Sequence, residues 1–374
     1  MKSFLFLGFA FSMIFLSCST DSSSDSYNFQ EINNPIVCVF YGINGLGDLT
    51  YNDSVNTGIT KAEEKFDFFK ISYSPKNWTA AEANMNYIFN EIQNNFSSKH
   101  KVLCIFVDEH YIQLLEKNEL FAKNLPMTTL LFNVPQSGIP ESIKNKVHSV
   151  FIPYYGACYA AGKIAKKISE TEIEPFFPYM ILADKDNQIH FEYTQFFLKG
   201  FGINNPSSSL AEVFEQVTED YFYLSLTEDP AKESGYDKGD DLYKFASLGI
   251  FNLSGKKYIV LPLCGGSTLG LLHYASDAGY CSYRVVGFDV DMFSYAPNAV
   301  EFSVIVDSAR VAYECIEQWN NGNLPKSQIK TFDNMYTAIC TYQEYTNFSV
   351  SDILKEAVQV ENERLQGIAE NAKS

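Results

Sequence analysis

The chain has 374 residues, and its 45 acidic side chains outnumber 28 basic ones to give a formal net charge of −17. That balance argues against a nucleic-acid binder, because phosphate contacts depend on clustered Lys and Arg. An apolar share of 46% supplies sizeable cores, and the length suits two domains better than one.

The amino-terminal end reads as a targeting segment. Lys2 is followed by an apolar run over residues 4–16, then by Ser17-Cys18 and a string of small polar residues. This is the layout of a secretory signal over residues 1–17, and the run is short for a membrane span. Cys18 at the cleavage point resembles a lipobox, with Phe15 where Leu is commoner. Acylated there by more than one chain, Cys18 would hold the protein stably to a lipid bilayer. The alternative is an ordinary cleaved signal with an incidental cysteine. Residues 18–34 then form the lipidated residue and a flexible, Ser/Asp-rich linker.

Beyond the linker, short apolar runs alternate with amphipathic stretches. Strands are expected at residues 35–41, 68–73, 102–107 and 128–133, with helices at 53–66, 79–96 and 111–124 between them. The first helix shows Val55, Ile59, Ala62 and Phe66 on one face. Thr79 and Glu82 have the spacing of a capping box. The pattern restarts with a small-residue-rich helix at 157–169. It continues with strands at 178–183, 213–217, 258–263 and 284–288, and with helices at 189–202, 239–253, 269–278 and 304–318. Repeated strand–helix units with near-continuous apolar strands imply parallel sheets covered on both faces. Ligands of such sheets bind outside the carboxyl ends of the strands, so the loops after strands are the places to search.

Three of those loops carry suitable chemistry. The first runs from Tyr41 to Asp53 and holds Gly42, Gly45, Gly47, Asp48, Tyr51 and Asn52. It is neither a dinucleotide fingerprint, which needs glycine where Thr50 stands, nor a P-loop, which needs Gly-Lys-Ser/Thr. Its plainer reading is a turn with Asn52 or Asp53 capping the next helix. The second loop, residues 263–270, fails the nucleophile-elbow test because Leu269 occupies its last glycine position. Its glycines Gly265 and Gly266 suit a helix start that offers backbone N–H groups. The third loop carries Asp289 and Asp291; a carboxylate there accepts hydrogen bonds from a vicinal diol. Read as a general acid/base pair, the two acids lack a nucleophile beside them. Seven further cysteines (38, 104, 158, 264, 281, 315 and 340) form no CxxC pair, and the five histidines show no i, i+4 pair. Neither a metal nor a cofactor is expected, and no disulfide is selected by spacing.

Taken together, the segments 43–54 (INGLGDLTYNDS), 151–162 (FIPYYGACYAAG), 199–206, 265–270 (GGSTLG) and 287–291 (GFDVD) resemble, in order, the basic membrane protein family. Its members are substrate-binding lipoproteins of ABC transporters, best known for purine nucleosides. The resemblance implies an α/β, two-lobed type I periplasmic-binding-protein fold, each lobe a parallel sheet flanked by helices, with three crossings and the ligand in the cleft. It implies lobes of 35–152 plus 292–335 and of 153–291 plus 336–374, the latter including the tail. It places Tyr51 where the family stacks an aromatic ring on the base, and Asp48 and Asn52 at polar first-loop positions. Tyr155 enters the second lobe, and Gly265, Gly266 and Asp289 stand near the ribose contacts. Val306 occupies the position of a family lysine and Met292 that of a glutamine, departures that fall on specificity rather than on fold.

The expectation is therefore a lipid-anchored solute-binding protein of the cell envelope, not an enzyme. Its partners would be a nucleoside- or sugar-like small molecule and an ABC permease. A sensory or surface-binding module of the same fold is the alternative, and a hydrolase using Asp289, Asp291 or Asp48 a third. Residues 219–238, rich in acids and tyrosines, are expected to reshape the cleft entrance.

Overall fold

The computed structural model describes residues 32, 34–43, 45–95, 101–204, 209, 220–227, 233–249, 251, 255–279 and 281–371. Cys18, the linker before residue 32 and the strand expected at 213–217 lie outside the described residues.

The first lobe is built on β1 (Ile36–Phe40), β2 (Phe69–Tyr73), β3 (Val102–Phe106), β4 (Thr128–Phe132), β5 (Val147–Phe151) and β11 (Ser327–Ile329). Among the described residues these form one parallel sheet in the order β11-β5-β4-β3-β1-β2. Every residue of β1 and of β3 is buried, which explains why neither run alternates apolar with polar. Around the sheet lie α1 (Tyr51–Phe66), α2 (Trp78–Asn94), α3 (Tyr111–Lys117), α4 (Glu119–Ala122) and α5 (Glu141–Lys144).

The second lobe contains α6 (Tyr155–Ser169), β6 (Phe176–Asp184), α7 (Gln188–Phe201), β7 (Phe222–Thr227) and α8 (Gly239–Ser247). It continues with β8 (Lys257–Leu263), α9 (Thr268–Ala278), β9 (Tyr283–Asp289), β10 (Val300–Val306) and β12 (Thr337–Thr341). Its sheet runs β12-β10-β9-β8-β6-β7, parallel except where β12 pairs antiparallel with β10. Helices α6 and α7 touch backbone to backbone. A Cβ on Gly162 would stand 2.0 Å from the Phe197 carbonyl oxygen, and one on Gly200 2.1 Å from that of Tyr159.

Three segments cross between lobes, after β5, β10 and β11. The first, residues 152–154, follows β5. The second, at Asp307, follows β10 and leads into α10 (Ser308–Asn320), which packs on α1 at Gly58. The Lys101 ammonium donates to the carbonyls of Trp319 and Asn320 at 2.6 and 2.7 Å, fixing the end of α10 to the first lobe. The third, residues 330–336, joins β11 to β12. A final helix, α11 (Val350–Asn371), packs on α6. No helix among the described residues is long and apolar enough to cross a membrane.

Several expectations are corrected. Residues 292–306 stay in the second lobe rather than opening the return to the first, because β10 is hydrogen-bonded between β9 and β12. The helix expected from 304 starts at Ser308, capped by Asp307 through the Arg310 amide. The 111–124 helix breaks at Asn118, whose side chain caps the short second piece. The 239–253 helix ends at Ser247. Helix α2 is capped by Asn77, which accepts from the Ala80 amide, rather than by Thr79. Strand β5 and strand β7 were not anticipated where they lie.

Candidate functional site

The loop after β1 is folded by its own acids. The Asp53 carboxylate accepts from the amides of Gly47 and Leu49, both at 2.9 Å. Asp48 accepts from the Thr50 amide at 2.8 Å, the Asn52 amide at 3.1 Å and the Asn52 side chain at 2.8 Å. Asp48, not Asn52 or Asp53, thus satisfies the free N–H groups at the start of α1 and places a negative charge where the helix dipole favours one. Gly45 has to be glycine here: a Cβ would lie 2.9 Å from the Asn52 amide carbon. Tyr51 is held edge-on to Phe132 at 6.2 Å between ring centroids.

The other strand ends converge on this loop. Beyond β3 come Asp108, Glu109 and His110. The Asp108 carboxylate accepts from the His110 amide at 2.9 Å and meets its imidazole Nδ1 at 2.8 Å. Beyond β4, Asn133 takes a left-handed φ of 58°, which asparagine tolerates, and accepts from the amide of Ile152 in the first crossing. From that crossing Tyr154 stacks on Phe288 at 5.0 Å and donates to Asp289 Oδ1 at 2.9 Å. Asp289 closes β9 at φ 70°. Such backbone strain, here beside a cavity, gathers at functional positions.

Beyond β6, Asn187 caps α7 through the His190 amide and donates across the lobes to Glu109 Oε1 at 3.0 Å. Beyond β8, Gly266 backs against the Asp48 main chain, where a Cβ would meet the Asp48 carbonyl oxygen at 3.2 Å. Ser267 donates to the Gly235 carbonyl at 2.8 Å and accepts from the Lys238 amide at 2.7 Å. The second glycine loop therefore clamps residues 235–238, and this is what brings Tyr236 to the cleft. The cavity these elements line measures about 120 Å³.

The electrostatics are acidic and finely balanced. Burial drives the Asp289 carboxyl up to about 7, with Asp48 adding to the rise and the Tyr154 hydroxyl opposing it. Burial and the neighbouring Asp108 raise Glu109 to about 7. Burial also works against charge on Asp108 and His110, but their mutual attraction overrides it. It holds Asp108 below its ordinary value and lifts His110 to about 9. Burial lowers His190 to about 4, so that imidazole is neutral at physiological pH. Among the described residues, no Lys or Arg lines the cavity.

Of the residues singled out from sequence, Asp48, Tyr51, Asn52, Gly265 and Asp289 line one cavity. Gly266 stands behind it. Tyr155 does not reach it: its hydroxyl donates to Glu192 at 3.1 Å and its ring lies under Arg364 at 5.6 Å, so its neighbour Tyr154 faces the cleft instead. Asp291 is likewise outside, accepting from Tyr342 at 2.6 Å, so it makes no pair with Asp289. Sequence reasoning missed Asp108, Glu109 and His110, together with Asn133, Asn187, His190 and Tyr236. The signal for the first five was present, since Asp108, Glu109, His110 and Asn187 follow expected strands and Asn133 ends one.

Two sheets of this connectivity with a cleft between their carboxyl edges make the two-lobed type I periplasmic-binding-protein fold. The model of the Bmp family, ABC transporter substrate-binding protein PnrA-like, matches residues 250–370, a span that includes Gly265, Gly266 and Asp289. No curated protein matches the chain. Among solved structures it is similar to ABC transporter solute-binding proteins from Aeropyrum pernix K1, at 15% identity and a TM-score of 0.63 over 88% of this chain and 86% of that one. It is similar to a periplasmic solute-binding protein from Actinobacillus succinogenes 130z with bound D-allose, at 13% identity and a TM-score of 0.56 over 84% and 100%. A transcriptional activator of the comK gene from Bacillus halodurans also shares the fold, at 11% identity and a TM-score of 0.57 over 87% and 96%.

Proposed function

We propose that this chain is an ABC-transporter-type solute-binding lipoprotein that captures a small, uncharged polar ligand between its lobes, with a nucleoside as the first candidate. One observation carries the reading. Thr50 Oγ1, Tyr51 Oη and His190 Nδ1 all belong to residues lining the same cavity, and all three atoms are buried without a hydrogen-bond partner. Buried polar groups are as a rule satisfied, so three orphans in one cleft mark where a ligand's polar groups belong. The Tyr51–Phe132 and Tyr154–Phe288 pairs supply ring faces for a flat or puckered ring. Asp48 and Asn52 act by shaping the first loop, Gly265 by letting the main chain approach, and Asp289 by accepting ligand hydroxyls.

Closure would rotate the lobes about residues 152–154, Asp307 and 330–336, and the ligand would favour the closed state by touching both lobes. Acylated Cys18 would keep this mobile body on the outer side of a membrane, beside its permease. Titration calorimetry of the mature chain with adenosine tests the ligand class. The expected result is binding at one site, weakened about tenfold or more by Tyr51→Ala. A Cys18→Ser chain recovered wholly with membranes, as the parent is, would refute the anchor.

A further inference from the structure

We propose that the hydrogen bond from Asn187 to Glu109 is a latch across the cleft mouth, which holds the two lobes together before any ligand enters and so sets the affinity a ligand shows. The inference rests on the lobes rotating about their three crossings, and not on which ligand they close over.

The two residues belong to opposite lobes. Glu109 follows β3 in the first and Asn187 follows β6 in the second. Asn187 Nδ2 donates to Glu109 Oε1 at 3.0 Å. Both ends are mounted on fixed structure. Asn187 is 7% exposed, and its side-chain oxygen caps α7 by accepting from the His190 amide at 2.9 Å, which leaves its NH₂ group for Glu109. The Glu109 carbonyl accepts from the Ile112 amide at 3.0 Å in the turn that opens α3. In the same turn the Tyr111 hydroxyl donates to the Tyr41 carbonyl at 2.8 Å, tying it to the end of β1. Neither residue is free to follow the other when the lobes part, so the bond belongs to the closed arrangement.

Its place is the mouth itself. On one side Glu109 and Asn187 line the inner cavity. On the other they line a groove of about 610 Å³ together with Trp78, Gln113, Asp184 and Asp186. The bonded pair is therefore part of the wall between cavity and groove, and a ligand shut in the cavity lies behind it.

Closure otherwise brings like charges together here. Asp184 of the second lobe stands near enough to Glu109 to oppose its ionisation, as does Asp108 of its own lobe, while His110 favours it. An amide donor at position 187 offsets this repulsion, whereas an acid there would add to it. Hydrogen bonds to a carboxylate are of the stronger kind, and loss of this one lowers the ratio of closed to open chains by roughly tenfold. A ligand that needs both lobes then binds more weakly in proportion to the closed share that is lost.

Small-angle X-ray scattering of the unliganded mature chain at about pH 8 tests the latch, with each curve resolved into closed and open shares. The parent should scatter as the closed form. Asn187→Asp keeps the cap on α7 but sets an oxygen against Glu109, and Glu109→Ala removes the acceptor. Each should lower the closed-to-open ratio by about tenfold and raise the radius of gyration. Glu109→Gln, whose side-chain carbonyl still accepts, should stay closed. Thermal unfolding shows which variants are folded, and if Asn187→Asp is not, Glu109→Ala against Glu109→Gln decides. A parent as open as the variants overturns the inference, and so does a folded Glu109→Ala as closed as the parent. Glu109→Gln opening as far as Glu109→Ala overturns it too. No ligand takes part, so failure of the nucleoside reading would leave this result standing.

Discussion

Replacing Asp289 with Asn isolates the cost of holding a charge in the cleft. Burial lifts this carboxyl from 3.8 to about 7. A folded chain at pH 8 therefore carries there an ion that the unfolded chain would carry in water without penalty. At 1.36 kcal/mol for each unit of pKa, the gap corresponds to an upper bound of about 4 kcal/mol. The side chain is only half-buried in the cleft wall, so solvent in the open mouth reduces this to about 1–3 kcal/mol. The sign follows from the direction of the shift. A carboxyl with a raised folded pKa contributes stability that is fully present below about pH 4 and is lost as pH rises through 7. Asparagine keeps the shape and still accepts from Tyr154, whose hydroxyl now donates at 2.9 Å. Asp289→Asn should therefore be more stable than the parent at pH 8 by about 1–3 kcal/mol, with the gap closing by pH 4–5. Urea unfolding at each pH reads it from the midpoint at constant slope. A variant less stable at pH 8, or a difference that ignores pH, would refute the reasoning.

Other expectations concern the rest of the frame. Asp108→Asn should lower the His110 titration, followed by NMR, from about 9 toward its ordinary 6.5, because only Glu109 and Asp184 then oppose burial; the stability that pair gives is present below about pH 6.5 and fades as pH rises through 9. Gly200→Ala should cost about 1–3 kcal/mol in urea unfolding, since the added methyl collides with the Tyr159 carbonyl and forces α6 from α7. Lys330→Ala should cost about 1–3 kcal/mol. It removes the 2.7 Å contact to Glu314 in the third crossing, but Arg310 and Tyr336 still serve that carboxylate at 2.8 Å each. A loss near zero would show the crossing to be held by other contacts.

How far the sequence spoke depended on whether a feature was local. The strand runs at 36–40 and 102–106 are buried on both faces, so their unbroken apolar character was visible without knowing their neighbours. The first glycine loop was legible because it packs its function into a dozen residues. Strand β5, VHSVF, was hidden because His148 and Ser149 interrupt its apolar run; the His148 ring and the Ser149 amide meet the Pro325 and Lys326 carbonyls just before the edge strand. That edge strand, β11, joins it from 178 residues downstream, a pairing no local pattern encodes. The choice between Tyr154 and Tyr155 turned on one step of helix rotation, settled by Glu192 and Arg364 on other helices. His190 owes its neutrality to burial and to the positive His110 nearby, and Tyr236 its place to Ser267. These are tertiary effects, and residue types alone do not carry them.

The central claim is that the cleft captures a small polar molecule and is stabilised by it. Thermal unfolding of the mature chain against a panel of nucleosides, their 5′-phosphates and neutral sugars tests it most directly. A ligand at a hundred times its dissociation constant should add about 2.7 kcal/mol of stability. The account predicts that at least one uncharged nucleoside or sugar does so, that its phosphate does not, and that Tyr51→Ala abolishes the shift. A panel with no stabilising member, or one in which only the phosphates stabilise, would contradict it.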